Sequence, residues 1–279
     1  MRSIHARPIY LRARSQRGFT LIELMIAVTI ALFLSAGLLT LVQAMKATAG
    51  AQSGLSQLQD NERMAMTLIA DVIQSAGYFP NPLLNTAALE FPAAPANGLA
   101  PAFTTPGQSI VGAGNYNDPP PPGAPSNSVT VRYGTGGMTV VPPAIPDNVV
   151  NCTGNTSAGA TMFTNTFSLL ADPSTPGTYD LVCQLSDSAA GTTTTVYLVS
   201  GVTQLQIYYG VQTNSGVTTG SVDTYLDGNH VTDWSKVVSV KVTLTFVNPL
   251  YGNLAGQLRS NTKQTIAFKR VIDVMNKAS

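Results

Sequence analysis

Apolar and polar residues follow two different periods along the chain, and the change divides it into a helical part and a β-rich part. Residues 19–42 are apolar almost throughout and hold a single charge, Glu23. Over residues 43–77 the apolar side chains recur every three or four positions, which is typical of a helix with one buried face. Since Pro80 is the first proline beyond this stretch, we predict one helix from Phe19 to Ala76. The apolar stripe consists of Leu55, Leu58, Ala65, Ile69, Val72 and Ala76.

The length of this helix limits how much of it a globular body can cover. A helix of that length measures ~87 Å, whereas a compact body of about 200 residues has a radius of gyration of ~16 Å. We therefore expect residues 19–42 to form a transmembrane or protruding half. Only the amphipathic half, residues 43–77, has a stripe that a sheet could cover.

Short runs with a period of two follow in residues 147–279 and predict a β-rich globular body. The strongest run is Lys236–Val247, where every second residue is apolar. Trp234 stands just before it and is expected to close one end of the core. The fold class is therefore α+β, a long N-terminal α-helix packed on an antiparallel β-sheet. The other predicted strands are Thr164–Leu169, Tyr179–Gln184, Thr194–Val199, Gln204–Gly210 and Gln264–Val271.

A proline-rich region, residues 78–146, separates the helix from this body. Residues 80–146 contain 14 of the 18 prolines, so we predict loops and polyproline II conformation there, with no continuous helix and no central strand. One short strand is predicted at Ser128–Tyr133. The region is interpreted as a structural cover over the sheet, with a variable surface for a partner as the alternative.

Charged side chains are scarce and unevenly placed. They make up 10% of the chain, and its net charge is +1. Five arginines precede Gly18 with no acidic residue among them, and without this leader 10 basic side chains remain against 14 acidic ones. A body with that balance has no broad electrostatic attraction for nucleic acid.

Three interpretations fit the N-terminus when the residues are taken alone. A secretory signal peptide would use Ala47-Thr48-Ala49 as a cleavage site. However, the apolar run is longer than the apolar region of such signals, which has about 7 to 15 residues. A plain transmembrane anchor fits the length but leaves the cost of Glu23 unexplained. The third interpretation is a processed leader that ends just before the apolar run.

The stretch Arg17-Gly18-Phe19-Thr20-Leu21-Ile22-Glu23-Leu24 closely resembles the class III signal of type IV prepilins. The resemblance implies that a prepilin peptidase removes residues 1–18 as a basic leader peptide and that Phe19 becomes an N-methylated terminus. Glu23 would then be the fifth residue, where the family keeps its glutamate. A buried amine on one subunit and this carboxylate on its neighbour would form one pair and set the register of assembly.

Further segments resemble the PilW-type minor pilins within that family. They are Asn61-Glu62-Arg63 to Ala76-Gly77-Tyr78, Gly201 to Gly210 and Asp233 to Val240. The resemblance implies a minor pilin that acts in initiation of type IV pilus assembly. The J-type pseudopilin of type II secretion shares the architecture and is the nearest alternative.

The implied partners are other minor and major pilins, the prepilin peptidase and the inner-membrane assembly platform. Before assembly the chain is expected to be a single-pass protein of the bacterial inner membrane, because the basic leader predicts a cytoplasmic start and an outward, periplasmic body. Afterwards it would lie in the pilus fibre. No cofactor is implied.

Cys152 and Cys183 are the only cysteines. Two cysteines without nearby histidines make a poor zinc site, which normally has four ligands. In an oxidising compartment we expect them to form a disulfide, with two free thiols as the alternative.

Candidate chemistry is sparse elsewhere. Asp223, Asp227 and Asn229 could supply oxygen ligands to Ca²⁺, although a strand that ends in an Asp-Gly turn explains them equally well. His230 is close in sequence to Asp233 and Ser235, but this spacing is unusual for a catalytic triad. We expect no enzyme, and no other metal site.

Three functional classes remain: a minor pilin, a pilus-tip adhesin or DNA-uptake subunit, and a membrane-anchored periplasmic hydrolase. The exposed loops are the only support for the second class. The third lacks a nucleophile with its base.

Overall fold

The computed structural model describes residues 18–80, 82–83, 85–114, 127–136, 149–157, 159–213, 221–251 and 264–274. The chain divides into two compact units, residues 1–50 and residues 51–279. Helix α1, Leu21–Gln74, contributes its first part to one unit and its second part to the other. The predicted helix from Phe19 to Ala76 is confirmed to within two residues at either end. The five leader arginines lie outside the described residues.

The second unit contains one antiparallel sheet of eight strands in the order β1-β2-β3-β4-β5-β7-β8, with β6 paired to β5 on the side opposite β7. Together with α1 it forms the α+β architecture predicted from the sequence, a long helix on a curled antiparallel sheet. The strands are β1 Ile110–Ala113, β2 Ser128–Thr135, β3 Thr161–Ala171, β4 Tyr179–Asp187, β5 Thr192–Val211, β6 Thr224–Leu226, β7 Val237–Val247 and β8 Thr265–Asp273.

The core lies between the second part of α1 and one face of the sheet. Ile69, Val72 and Ile73 are at most 1% exposed, and they pack in one cluster with the alternate residues of β7. The predicted stripe is confirmed, since Leu58, Ala65 and Ala76 belong to the same cluster. At the C-terminal end of α1, Gly77 adopts a left-handed φ of 78° and donates its N–H to the carbonyl of Arg132 at 3.0 Å.

Trp234 lies at one end of the core, as predicted. Its ring meets that of Tyr209 edge to face, with centroids 4.8 Å apart. Phe268 of β8 is packed against the core and meets Phe246 in the same edge-to-face manner, at 6.0 Å. Ile266 also packs against the core, so the predicted last strand is confirmed and has one face in the core.

Two predictions about the strands are wrong. The segments Thr194–Val199 and Gln204–Gly210 form a single strand, β5, because Gly201 with a φ of 78° lets the strand continue through a shift of register beside Val202. The proline-rich region does contain a central strand, since β2 pairs with β1 on one side and β3 on the other. No proline falls within β2, so every residue of the strand keeps its backbone N–H.

The described part of the proline-rich region otherwise covers the sheet, which agrees with the favoured interpretation. It includes a one-turn helix α2, Ala87–Glu90, and a short loop closed by a bridge between Ala94 and Phe103. Phe91 and Phe103 are at most 3% exposed. Pro119 to Pro122 lie outside the described residues.

Candidate functional site

The candidate site is the start of α1, where the residues before the helix leave a short exposed segment. Gly18, Phe19 and Thr20 precede the helix, and the Phe19 side chain is 81% exposed. Thr20 caps the helix: its Oγ1 accepts the N–H of Glu23 at 3.4 Å, and its carbonyl accepts the N–H of Leu24 at 3.2 Å. The Gly18–Phe19 peptide therefore lies before the first residue of the helix.

Glu23 lies in the first turn of the helix. The sequence Thr-x-x-Glu from Thr20 to Glu23 is a capping box signature, which sequence analysis missed although the signal was present. A carboxylate here is stabilised by the positive end of the helix dipole. No cation of the described residues forms an ion pair with it. The carboxylate is thus held near the helix start and is exposed to an external partner.

The first part of α1 presents an apolar surface all around its axis. Large apolar side chains from Leu21 to Met45 are each close to half exposed or more, and this stretch of α1 is long and apolar enough to cross a bilayer. The hydroxyl groups of this stretch each donate a hydrogen bond to a backbone carbonyl three or four residues earlier in the helix, so their donors are satisfied within the helix. The pairs are Thr29 to Ile26, Ser35 to Ala31, Thr40 to Gly37 and Thr48 to Ala44, at 2.7 to 2.9 Å.

This arrangement leaves Glu23 as the one charged side chain among residues 18–45. A surface of this kind is stable only against lipid or other apolar helices. The carboxylate is costly in either environment unless a cation reaches it. The first part of α1 is therefore suited to pack against other apolar helices, with one ionic contact through Glu23 at the start of the helix.

The two cysteines form the disulfide expected from the sequence. Cys152 and Cys183 are bonded with their Cα atoms 6.4 Å apart, and both are at most 1% exposed. The N–H of Cys152 donates to Oδ1 of Asn165 in β3 at 2.9 Å. The disulfide therefore fixes the segment of residues 149–157 to the middle of the sheet.

The weak calcium candidate is a turn with its carboxylates engaged by protein donors. Asp223 Oδ2 accepts the N–H of Thr213 at 2.6 Å, and Asp227 Oδ1 accepts the N–H groups of Asn229 and His230, each at 3.1 Å. Oδ1 of Asn229 accepts the N–H of Gly114 at 3.3 Å. These contacts agree with the alternative interpretation, a strand that ends in an Asp-Gly turn.

His230, Asp233 and Ser235 do not form a triad. The imidazole Nδ1 of His230 lies 2.7 Å from Asp227, and the His230 side chain is 70% exposed. The hydroxyl of Ser235 donates to Asp233 at 2.6 Å, and this bond lowers the pKa of the Asp233 carboxyl. Ser235 is thus held by an N-cap carboxylate, and the imidazole of His230 is bonded to Asp227 instead.

Arg132 holds the cover onto the sheet, a role that sequence analysis missed. Its guanidinium is fully buried and donates to the carbonyls of Gln108, Pro92 and Phe91 at 2.7, 2.7 and 3.1 Å. The ring of Phe103 lies 4.1 Å from Cζ. Burial lowers the pKa of Arg132 to about 10. No sequence signal distinguishes such an arginine from a surface one, because all its partners are carbonyls or rings of distant residues.

Two buried tyrosines make the stability of the protein sensitive to alkaline pH. Tyr209 donates its hydroxyl to Ser128 at 2.8 Å and Tyr133 donates to Val150 at 2.6 Å, and burial raises the pKa of both phenols. Above their unfolded pKa of about 10, the unfolded state loses these protons while the folded state keeps them, so stability falls as the pH rises. Arg132 acts in the opposite direction, because its folded pKa is the lower one.

We expect the unfolding free energy to fall as the pH rises from about 10 to 12, because two tyrosines outweigh one arginine. The Tyr209→Phe variant should show a shallower fall in that range. Denaturant unfolding of the full chain in detergent micelles measures the unfolding free energy of the wild type and of the variant at each pH. At pH 7 neither tyrosine is ionised, so the difference between the two proteins there gives the effect of the lost hydrogen bond alone. An unchanged slope in the variant would contradict the assignment.

Two sequence families match the chain. The family described as Type IV Pilus-assembly protein W matches residues 167–276, and the Prokaryotic N-terminal methylation motif matches residues 13–39. No curated protein and no solved structure matches. The first match covers the last five residues of β3 and all of β4 to β8, and the second covers the start of α1 with Glu23. The matches support a type IV prepilin-like minor pilin.

Proposed function

We propose that this type IV prepilin-like minor pilin enters the pilus after a prepilin peptidase cuts between Gly18 and Phe19, and that it acts in initiation of fibre assembly. The observation that carries the proposal is the first part of α1, an apolar helix surface whose one charge, Glu23, lies in the first turn. The methylation motif matches the same residues.

Assembly would proceed through this helix. The cut frees the amine of Phe19 beside the exposed side chains of Leu21 and Ile22. The carboxylate of Glu23 neutralises the amine of a neighbouring subunit, and the pairing fixes the axial register because only one relative height brings the charges together. Packing of residues 19–42 against neighbouring helices then covers apolar surface that lipid covered before.

We further propose a cellular location and partners for the chain. The basic leader would stay in the cytoplasm and the disulfide-bonded body would lie in the periplasm, where the Cys152–Cys183 bond is stable. Other minor and major pilins would flank α1. The inner-membrane assembly platform would receive the processed chain, and the fibre would carry it to the cell surface.

A complementation experiment tests the proposed role. Host cells that lack the chain should form few or no pili, and the wild-type chain should restore them. A Gly18→Val variant should not, because a branched side chain at the cut blocks processing, and the uncut chain should accumulate in the membrane. Equal numbers of pili with and without the chain, counted by electron microscopy, would contradict a role in initiation.

A further inference from the structure

Strand β5 has an open edge along its first part. Residues Thr192–Val202 pair with β4 on one side, whereas pairing with β7 on the other side begins only at Val202. Within the described part of the chain, Thr192–Ser200 has no strand on that second side. We call residues 192–200 the β5 edge. It is nine residues long, or ~30 Å at the rise of a strand.

The chain itself ends the neighbouring strand at this point. β7 stops at Val247, and Asn248 turns the backbone by accepting the N–H of Leu250 on Oδ1 at 2.9 Å and that of Tyr251 on its carbonyl at 3.0 Å. Pro249 follows, and proline has no N–H to offer a ladder. β7 therefore does not extend alongside the β5 edge. A strand that continued the line of β7 would lie next to residues 192–200.

The β5 edge lacks the features by which natural proteins protect their edges. The sequence from Ser188 to Val222 contains no charged residue and no proline. The edge itself reads Thr-Thr-Thr-Thr-Val-Tyr-Leu-Val-Ser, which is rich in β-branched and aromatic residues, and Tyr197 is 64% exposed. By composition it is suited to accept another strand.

The two outer strands of the sheet, β1 and β8, and the short strand β6 are protected. β8 carries Lys269, Arg270 and Asp273 along its length, and β1 and β6 have four and three residues. The unprotected edge is the one beside which the described residues place no strand on the side of β7.

We propose that the β5 edge accepts an extended, uncharged strand from a neighbouring pilin subunit, which continues the sheet in line with β7. This inference rests on the proposed function, which supplies the neighbour. The backbone N–H and C=O groups of residues 192–200 that point away from β4 would provide the hydrogen bonds, and Tyr197 would provide a cross-strand contact. The occupant is expected to be uncharged, because no residue from Ser188 to Val222 could pair with a charge.

Site-specific photo-crosslinking tests the inference in piliated cells. A benzophenone amino acid replaces Tyr197 of the full chain, and the matched control carries it at Val271, which is 53% exposed on the β8 edge. Adducts are isolated from sheared fibres and membranes and identified by mass spectrometry. We expect an adduct from position 197 with a different protein that carries an N-terminal methylation motif, attached to a strand segment of that protein, and several-fold less from position 271.

A charge on the edge provides a second test. Thr195→Lys should abolish the adduct from position 197, since a lysine protects an edge from pairing. Ala267→Lys, an exposed position of β8, is the control and should leave the adduct unchanged. Both variants should keep the melting temperature of the wild type, because both side chains point to solvent.

Several outcomes would overturn the inference: no adduct from position 197, equal adducts from positions 197 and 271, an adduct only with the same chain or a second copy, or an adduct with a protein that lacks the motif. The same samples separate this failure from failure of the proposed function. A chain that is present in sheared fibres but gives no adduct overturns only the strand inference. A chain absent from fibres overturns the proposed function.

Discussion

Replacing Glu23 by alanine is expected to remove the chain from pili while leaving its processing and its body intact. In the proposed assembly the wild-type carboxylate would meet the amine of a neighbouring subunit in an apolar environment, so the variant would leave that amine buried without a partner. Breaking a buried ion pair in this way costs about 3 to 5 kcal/mol. A loss of ~3 kcal/mol corresponds to incorporation lowered about 100-fold.

The ratio of the chain in sheared fibres to that in membranes measures this effect. Glu62→Ala is the matched control, since Glu62 is the other glutamate of α1 and lies in the second unit. We expect the control to remain close to the wild-type ratio. If Glu23→Ala enters fibres as well as the control does, the charge pair is not the assembly contact.

Removal of the disulfide is expected to give the largest loss of stability in the body. The bond joins residues 31 apart in sequence and ties the segment of residues 149–157 to β4. On the chain-entropy account a bond that closes a loop of this size contributes about 3 to 4 kcal/mol. Cys152→Ala combined with Cys183→Ala should lower the unfolding free energy of the full chain in detergent micelles by that amount.

Treatment with a reductant distinguishes the stability that the disulfide contributes from the stability that packing of the two side chains contributes. It should destabilise the wild type by a similar amount and should leave the double variant unchanged, since that variant has no bond to reduce. A wild-type protein that is equally stable with and without reductant would show that the disulfide does not hold the body together.

The helix and most of the strands could be predicted because their residues carry a local signal. The stripe from Leu58 to Ala76 repeats with the helical period and is buried as expected. The alternation in Lys236–Val247 likewise marks a strand with one face in the core. At the N-terminus the apolar run around Glu23 likewise predicts the start of α1, and the ionic contact of Glu23 stays a prediction.

The features that could not be predicted depend on distant contacts. Gly201 reads as a break between two strands, and only the pairing of β5 with β4 on one side and β7 on the other makes one strand of them. Arg132 lies in a region rich in proline, and its burial depends on carbonyls from 24 to 41 residues away. The β5 edge is an edge only because β7 ends at Val247.

The mass and N-terminal sequence of the mature chain, recovered from host membranes and fibres, decide whether the chain is processed as a prepilin. We expect a chain that begins at Phe19 with a methylated amine, so that Glu23 is its fifth residue. A chain that begins after Ala49, or that retains the leader of residues 1–18 in the fibre, would contradict that expectation.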